Sequence, residues 1–281
     1  MKQVLIVGAG PVGLTLGTLL CQYGVECVVM EKRKSRLSAS KAFSLHARTT
    51  EMLRLLNADI GINTKAVKVE EMRLYSQRNL LSNMRFGKSS NTECRTIHSY
   101  PQSLLESELE TAFCSNGGLI EKDATVFQID HQPQGYLVHY KCQDDVKSRF
   151  FDYVVGCDGA NSIVRQLANI DCSESAYSEN FLVADCKVES MSHNVDYQKH
   201  GHTFLSSKGY VMLFPIDRDY TRVVIDTDKQ YSGESESTNL TYLNRELEAR
   251  GLSVHIGDVK WISVADVRSS LASKYSVEVV E

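Results

Sequence analysis

Proline and tryptophan are scarce in this chain of 281 residues, with four of the first and one of the second. So few prolines exclude a proline-rich linker or an extended recognition tract. A basic excess is also missing. Lys+Arg at 31 against Asp+Glu at 35 leaves a formal net charge of −4, which gives no footing for nucleic acid or an anionic membrane surface as partner. None of the eight cysteines (Cys21, Cys27, Cys94, Cys114, Cys142, Cys157, Cys172 and Cys186) belongs to a C-x-x-C, and no paired spacing suits zinc, so no metal is expected. Several sit in apolar runs, Cys27 in ECVVM and Cys157 in YVVGCDG, where a free thiol packs as a small hydrophobe. They read as reduced thiols of a soluble, cytoplasmic protein. Long hydrophobic runs are absent as well. The nearest candidate, residues 2 to 21, could pass for a signal peptide or membrane span, but Gly8, Gly10, Pro11, Gly13 and Gly17 interrupt it.

What remains is an ordinary globular composition, 42% hydrophobic and 23% charged, in a chain long enough for one large domain or two ordinary ones. Low complexity and coiled coil are excluded as its main content.

The strongest local signal comes first. Val4-Leu5-Ile6-Val7 is the continuous apolar run of a parallel strand buried on both faces. It leads into Gly8-Ala9-Gly10-Pro11-Val12-Gly13, then a helical pattern through Val12, Leu16, Leu19, Leu20 and Tyr23, then a second strand from Glu26 that closes at Glu31. This is a βαβ unit with G-x-G-x-x-G at its first turn. Gly8 permits the tight turn, Gly10 lets a pyrophosphate approach the backbone, and Gly13 lets helix and strand pack closely. The helix start offers N–H groups and a partial positive charge to phosphate. Glu31 can accept hydrogen bonds from both hydroxyls of a ribose and repels a 2′-phosphate, which favours FAD or NAD over NADP at this site. No G-K-[ST] follows, so a mononucleotide P-loop is excluded. The unit reads as an adenine-dinucleotide site.

Three later segments carry weaker signals with two readings each. From Leu45 through Leu56 the apolar spacing suits an amphipathic helix. Lys41 and Arg48 beside it either reach phosphate or form a solvated face. HSYPQSLLESELETAF at 98 to 113 is a second amphipathic helix opening at or just after Pro101, with Gln102 either facing a ligand or lying on the surface. Asp152 to Cys157 reads as a buried strand ending in Asp158-Gly159, followed by a helix start through Arg165. Asp158 there is either a ligand contact at the strand's carboxyl end or a cap on backbone N–H groups.

Together these segments resemble the class A FAD-dependent aromatic monooxygenases, the group typified by p-hydroxybenzoate hydroxylase and phenol hydroxylase. The resemblance rests on G-A-G-P-V-G with Glu31, on K-A-F-S-L-H-A-R-T-T-E, on Tyr100-Pro101-Gln102 before L-x-x-x-L, and on D-G-A-N-S-x-V-R. It covers essentially the whole chain. It implies that Gly8, Gly10, Gly13 and Glu31 bind the ADP half of FAD, with Pro11, Val12 and Lys32 in the same cofactor-binding set. Arg48 and Gln102 would contact the flavin side, and Asp158 with Gly159 the pyrophosphate region. Lys41 stands where the family usually has an arginine near the pyrophosphate or the nicotinamide cofactor, so the charge is kept and the bidentate fork is lost.

The implied fold is α/β: a Rossmann-like FAD-binding domain with a parallel sheet, plus an inserted, mainly antiparallel β substrate-binding domain. Residues 1–72 and 98–175 are assigned to the first, with 266–281 as its incomplete final part. Residues 73–97 and 176–265 are assigned to the second, because Met72 to Phe86 and the stretch from residue 176 show short alternating strands separated by turns. Tyr210, Met212 and Phe214 share one strand face, which either roofs an aromatic substrate or is plain sheet core. Leu240 to Gly251 reads as a helix.

The implied activity is hydroxylation of a small aromatic molecule with FAD as cofactor, NAD(P)H as reductant and dioxygen as co-substrate. The cofactor carries that chemistry, and no side chain is assigned as catalytic acid, base or nucleophile. The alternative is a non-catalytic or truncated dinucleotide-binding relative. The family's third fingerprint, G-D-A-A-H, is expected after a strand at 277 to 280, and the sequence stops at Glu281. On that alternative the chain alone holds FAD weakly. An NAD-dependent dehydrogenase is a third reading, in which D-G-A-N-S-x-V-R has no natural place.

Overall fold

The computed structural model describes residues 2–36, 42–77, 79–87, 96–191, 196–227 and 236–277. Lys41 and most of the strand expected at 277 to 280 lie outside the described residues. The chain opens with β1 (Gln3–Val7), α1 (Pro11–Gln22) and β2 (Glu26–Glu31), the βαβ unit expected from the pattern. A short strand β3 (Ser44–Leu45) leads to α2 (Ala47–Leu55) and α3 (Ile60–Lys65). Strands β4 (Val67–Val69), β5 (Glu71–Ser76), β6 (Asn79–Arg85) and β7 (Ile97–Ser99) follow. Helix α4 (Gln102–Ser115) then precedes β8 (Leu119–Lys122), the meander β9 (Ala124–Gln132), β10 (Gly135–Cys142) and β11 (Asp145–Phe151), and β12 (Tyr153–Gly156). The rest comprises α5 (Ile163–Leu167), β13 (Cys172–Met191), β14 (Gly201–Ser206), β15 (Gly209–Pro215), β16 (Thr221–Thr227), α6 (Glu236–Ala249) and β17 (Val254–Ala272).

Four strands form a parallel sheet in the order β12-β1-β2-β8. Both faces of its central strands are covered, which is why their sequences are apolar without alternation. Val4, Ile6, Cys27 and Val29 pack under α1 and α4, against Leu14, Leu109 and Phe113. Leu5, Val7, Val28 and Met30 pack on the meander, against Val126, Val138, Tyr140 and Phe151. Burial pushes the Cys27 thiol up to about 12, so it packs as an inert hydrophobe. All seven described cysteines are free. Among the described residues no helix is long and apolar enough to cross a membrane.

A seven-stranded sheet, ordered β17-β13-β16-β15-β14-β5-β6, is antiparallel except where β14 runs parallel to β5. One face is sealed by α6, whose Leu243 and Leu247 meet Leu182, Ala184, Val211, Leu213, Val223 and Ile225. The alternation of β15 therefore puts Val211 and Leu213 inward and leaves Tyr210, Met212 and Phe214 half-buried on the opposite face.

One local expectation is corrected. The helix expected from Leu45 starts at Ala47, and Leu45 instead pairs with His98 in a small sheet β3-β7-β4. Leu45 is buried in the same core as Tyr100, so burial beside β7 outweighs the helical spacing that its sequence shows. The meander was not resolved from sequence. Its strands cover the parallel sheet, a pairing that no local pattern announces.

Candidate cofactor and substrate site

Strands β1 and β12 lie side by side with Val7 opposite Gly156, and the helices that follow them pack in different cores, α1 with Leu109 and Phe113 and α5 with Val126 and Phe151. From β1 the chain turns into α1 and crosses to β2. From β12 it turns the other way into α5. Such a divergence opens a crevice at the carboxyl edge of a parallel sheet.

The glycines at this edge fall into two kinds. Gly8 has φ +108, and a Cβ there would stand 2.5 Å from the Cys157 carbonyl oxygen. A Cβ on Gly13 would stand 2.0 Å from the Gly8 oxygen. Those two are closed by the protein's own backbone. Gly10 and Gly159 have no atom within 4 Å of an added Cβ, so both border open space. Gly10 caps α1 with no side-chain hydrogen bond, Pro11 takes the first helical position, and Val12 is 69% exposed on the first turn. The leading N–H groups of α1 are thus presented toward that space, as an anion site requires.

Across from them, Asp158 Oδ2 accepts from the N–H of Ile163 at 2.6 Å and of Val164 at 3.3 Å. That is the capping geometry. Asp158 Oδ1 is buried and has no partner among the described residues, an orphaned acceptor just past the end of β12. Ser162 adds a second cap by accepting from Arg165 N at 3.0 Å, while Arg165 Nη1 donates to the Ala160 carbonyl at 2.9 Å. Open space before two glycines and an uncapped helix start fit the pyrophosphate of a dinucleotide such as FAD, and an orphaned carboxylate oxygen suits a donor such as one of its hydroxyl groups.

Glu31 is 8% exposed, at the end of β2. Its Oε2 accepts from Ala9 N at 2.9 Å, and its Oε1 from Arg33 N and Arg33 Nε, both at 2.9 Å. Burial works against its charge, but the Arg33 guanidinium and the two N–H groups prevail and hold the carboxyl below its ordinary value. Lys32 is exposed. The side chain that reaches Glu31 is Arg33, which the motif did not flag. Its signal was spacing, since residues two apart on an extended segment share a face.

Arg48 is exposed and meets Glu51 at 3.4 Å, one turn along α2. Gln102 opens α4 and donates from Nε2 to Glu106 Oε1 at 2.7 Å. Glu106 is 4% exposed and was not read from sequence, although Q-x-x-x-E places the two on one helix face.

On the large sheet, Phe214 meets Phe43 edge-on at 5.4 Å between centroids. Phe43 directly precedes β3, so it carries the contact between the two sheet systems. Tyr210 lies 6.1 Å from Phe181, and its N–H donates to Asp226 Oδ1 at 2.7 Å. Arg222, Asp185 and Trp261 share this face and were not singled out by the sequence.

The chain matches a family model described as FAD binding domain over residues 1–280. Anhydrotetracycline monooxygenase of Streptomyces rimosus is 26% identical over 283 aligned positions, covering 97% of this chain and 55% of that protein. Rifampicin monooxygenase of Streptomyces venezuelae is 24% identical over 288, covering 99% and 57%. Among solved structures, p-nitrophenol 4-monooxygenase PnpA from Pseudomonas putida DLL-E4 superposes with a TM-score of 0.82 at 17% identity, over 99% of this chain and 71% of that one. OxyS anhydrotetracycline hydroxylase from Streptomyces rimosus gives 0.77 at 25% identity, over 99% and 55%. The chain spans about half the length of the curated relatives it matches.

Proposed function

The chain belongs to the FAD binding domain family, and on that premise we propose that it serves an FAD-dependent, NAD(P)H-using monooxygenase acting on an aromatic substrate. The observation that carries this reading is the carboxyl edge of β1 and β12, where Gly10 and Gly159 each border open space and Asp158 keeps an unpartnered oxygen. The chemistry supplied by bound FAD is hydride acceptance from NAD(P)H and, with dioxygen, insertion of one oxygen atom into an aromatic ring.

The residues divide the remaining work. Gly8 and Gly13 shape the turn, Gly10 admits the pyrophosphate, and the α1 N–H groups with Pro11 and Val12 around them present the positive end of the helix. Glu31 takes the ribose hydroxyls, its charge and orientation fixed by Arg33. Asp158 braces α5 through one oxygen and turns the other toward the pyrophosphate region, where Gly159 leaves room. Gln102 and Arg48 serve the flavin side, and Lys32 the adenosine end. Tyr210, Met212 and Phe214 give the substrate a flat apolar wall that excludes water.

We assign the parallel sheet, its helices and the meander to cofactor binding, and the seven-stranded sheet to the substrate. Its strands run a few residues beyond the stretches 73–97 and 176–265. A cytoplasmic location accords with its free thiols. Titrating the purified protein with FAD tests the reading. Saturable quenching of flavin fluorescence, with NAD(P)H oxidation stimulated by an aromatic compound, is expected. Protein that binds ADP but remains colourless with FAD would instead fit a non-catalytic dinucleotide-binding relative.

A further inference from the structure

The meander β9, β10 and β11 turns one face to the parallel sheet. Val138, Tyr140 and Phe151 lie on that inner face, so alternation puts Leu137, His139, Ser148 and Phe150 on the outer one. His139 is flanked by Gln128 of β9 and Ser148 of β11. Ser148 Oγ lies 2.7 Å from His139 Nδ1, and Asp130 Oδ2 lies 2.9 Å from His139 Nε2. Gln128 Nε2 donates to Asp130 Oδ1 and Oδ2 at 2.9 and 3.0 Å. A hydroxyl, an imidazole and a carboxylate thus stand in line across three strands, on the side turned away from the parallel sheet.

The order of the three groups fixes their protons. The Gln128 amide and the His139 ring hold the Asp130 carboxyl below its ordinary value, so at neutral pH it is ionised and can only accept. It takes the Nε2–H, which leaves the Nδ1 lone pair facing the serine, and Ser148 Oγ–H donates to it. That is a nucleophile, its base and a group that orients the base. Nδ1 here does what Nε2 does in serine proteases, and such sites are recognised by geometry and role.

Three further features suit acyl transfer. Ser148 is exposed. A two-residue loop closes the hairpin on the pair Cys142–Asp145, which exchanges backbone hydrogen bonds, and alternation from there makes His139–Ser148 a pair that does not. The Ser148 N–H therefore points away from β10, to the edge where β11 has no neighbouring strand among the described residues, and is a donor for an oxyanion. Phe127, with its ring 6.3 Å from that of His139, and Phe150, opposite Leu137, are 43% and 44% exposed and offer an aryl group an apolar surface.

We propose that Ser148, His139 and Asp130 form an esterase site for small uncharged aryl esters, separate from the flavin chemistry. Ser148 Oγ attacks the carbonyl carbon as its proton passes to His139 Nδ1. The bond from that carbon to the phenol oxygen breaks, and the proton goes to the departing oxygen. Water then attacks acyl-Ser148, again giving a proton to Nδ1, and the acid leaves as the proton returns to Ser148 Oγ. Ser148 and His139 are catalytic residues, and Asp130 is a positioning residue.

The full chain, supplemented with FAD, is mixed with p-nitrophenyl acetate and release of p-nitrophenolate above the spontaneous rate is followed. Ser148→Ala and His139→Phe are each expected to lower that rate at least roughly tenfold, with Tm little changed because neither side chain lies in a core. Asp130→Asn can donate its amide to Nε2, which turns a ring N–H toward Ser148, and should lower the rate likewise. Asp130→Glu restores the acceptor and should recover part of it. Diisopropyl fluorophosphate should lose fluoride to Ser148, leave one phosphoryl group per chain on that residue by peptide mass spectrometry, and stop the hydrolysis. A label confined to other residues, or unchanged hydrolysis in Ser148→Ala or Asp130→Asn, overturns the proposal.

Discussion

Because Glu31 already accepts from Ala9 N–H and from Arg33, a ribose arriving at it must share those oxygens or displace the guanidinium. Replacing Glu31 with Gln keeps the shape and removes the charge. We expect FAD affinity to fall by about 1–3 kcal/mol, measured by fluorescence titration. The same carboxyl has a folded-state value below its ordinary 4.5, so its contribution to stability is whole above about pH 4.5 and fades as pH falls through the lowered value. The stability gap between wild type and Glu31→Gln should therefore shrink on acidification below that point, as read by denaturant melts. Asp158 needs two variants because its oxygens have separate duties. Asp158→Ala should cost about 0.5–2 kcal/mol of stability through the lost cap on α5. Asp158→Asn can keep an oxygen on Ile163 N–H, yet we expect it to bind FAD more weakly. An Asn variant with wild-type affinity would leave Asp158 as a cap and nothing more. At this scale the sequence pointed to groups whose place follows from the motif, such as Gly8, Gly13 and Glu31. It did not point to Arg222 with Asp185, or to Glu106 under Gln102, because such pairs acquire meaning only when distant strands or a buried helix face bring them together.

The first turn of α1 offers a contrast between two neighbouring glycines. A Cβ on Gly13 would press into the Gly8 carbonyl, whereas a Cβ on Gly10 has nothing within 4 Å, and Gly10 has an extended backbone that alanine adopts readily. Gly13→Ala should thus lower Tm, with an overpacking cost on the order of 1–3 kcal/mol or more. Gly10→Ala should leave Tm nearly unchanged and weaken FAD binding about tenfold or more, because the new methyl occupies the path of the pyrophosphate. Equal effects on both properties at both sites would contradict the division between closed and open glycines. The βαβ element was legible because its glycines, helix spacing and two strands all lie within one local stretch. The β3–β7 pairing was not. Leu45 carries helical spacing, and only the burial of its side chain beside Tyr100 draws it into a strand.

Two buried histidines link the fold to solvent pH. Burial, helped by the charges of Lys68 and Arg54, lowers His98 from its ordinary 6.5. His202 is lowered chiefly by burial, with Arg73 and His200 adding to it, against a partial offset from its 3.1 Å contact with the Asp196 carbonyl. The unfolded chain protonates these rings first. Their contribution is whole above about pH 6.5 and is lost as pH falls toward the lowered folded values. We expect Tm to drop between about pH 7 and about pH 5, and His202→Phe to flatten that slope. His202 lies in an aromatic cluster with Tyr75 and Phe204, so phenylalanine preserves its packing. Over the whole molecule the sequence conveyed the class of the parallel sheet and of the large, mainly antiparallel one, through continuous or alternating apolar patterns, but neither the meander nor the small β3-β7-β4 sheet. Strand order was beyond it, since β5 and β6 join the large sheet from far upstream through the parallel pairing of β5 with β14.

The central place of β1 has a consequence for synthesis on the ribosome. Its partner on one side, β2, emerges almost at once, but β12 aligns Tyr153 with Val4, and a bond across that junction spans a separation of 149 residues. At translation rates of about 5–20 residues per second, β1 keeps one bare edge for roughly 7–30 s. During that interval the nascent chain exposes an apolar, unpaired strand of the kind that invites pairing with other chains. The crevice flanked by Gly10 and Asp158 cannot exist before β12 arrives, so the cofactor is a late ligand and offers no help to the earliest folded unit. Protection in that window must come from α1 and β2, or from a holding chaperone at the exit tunnel.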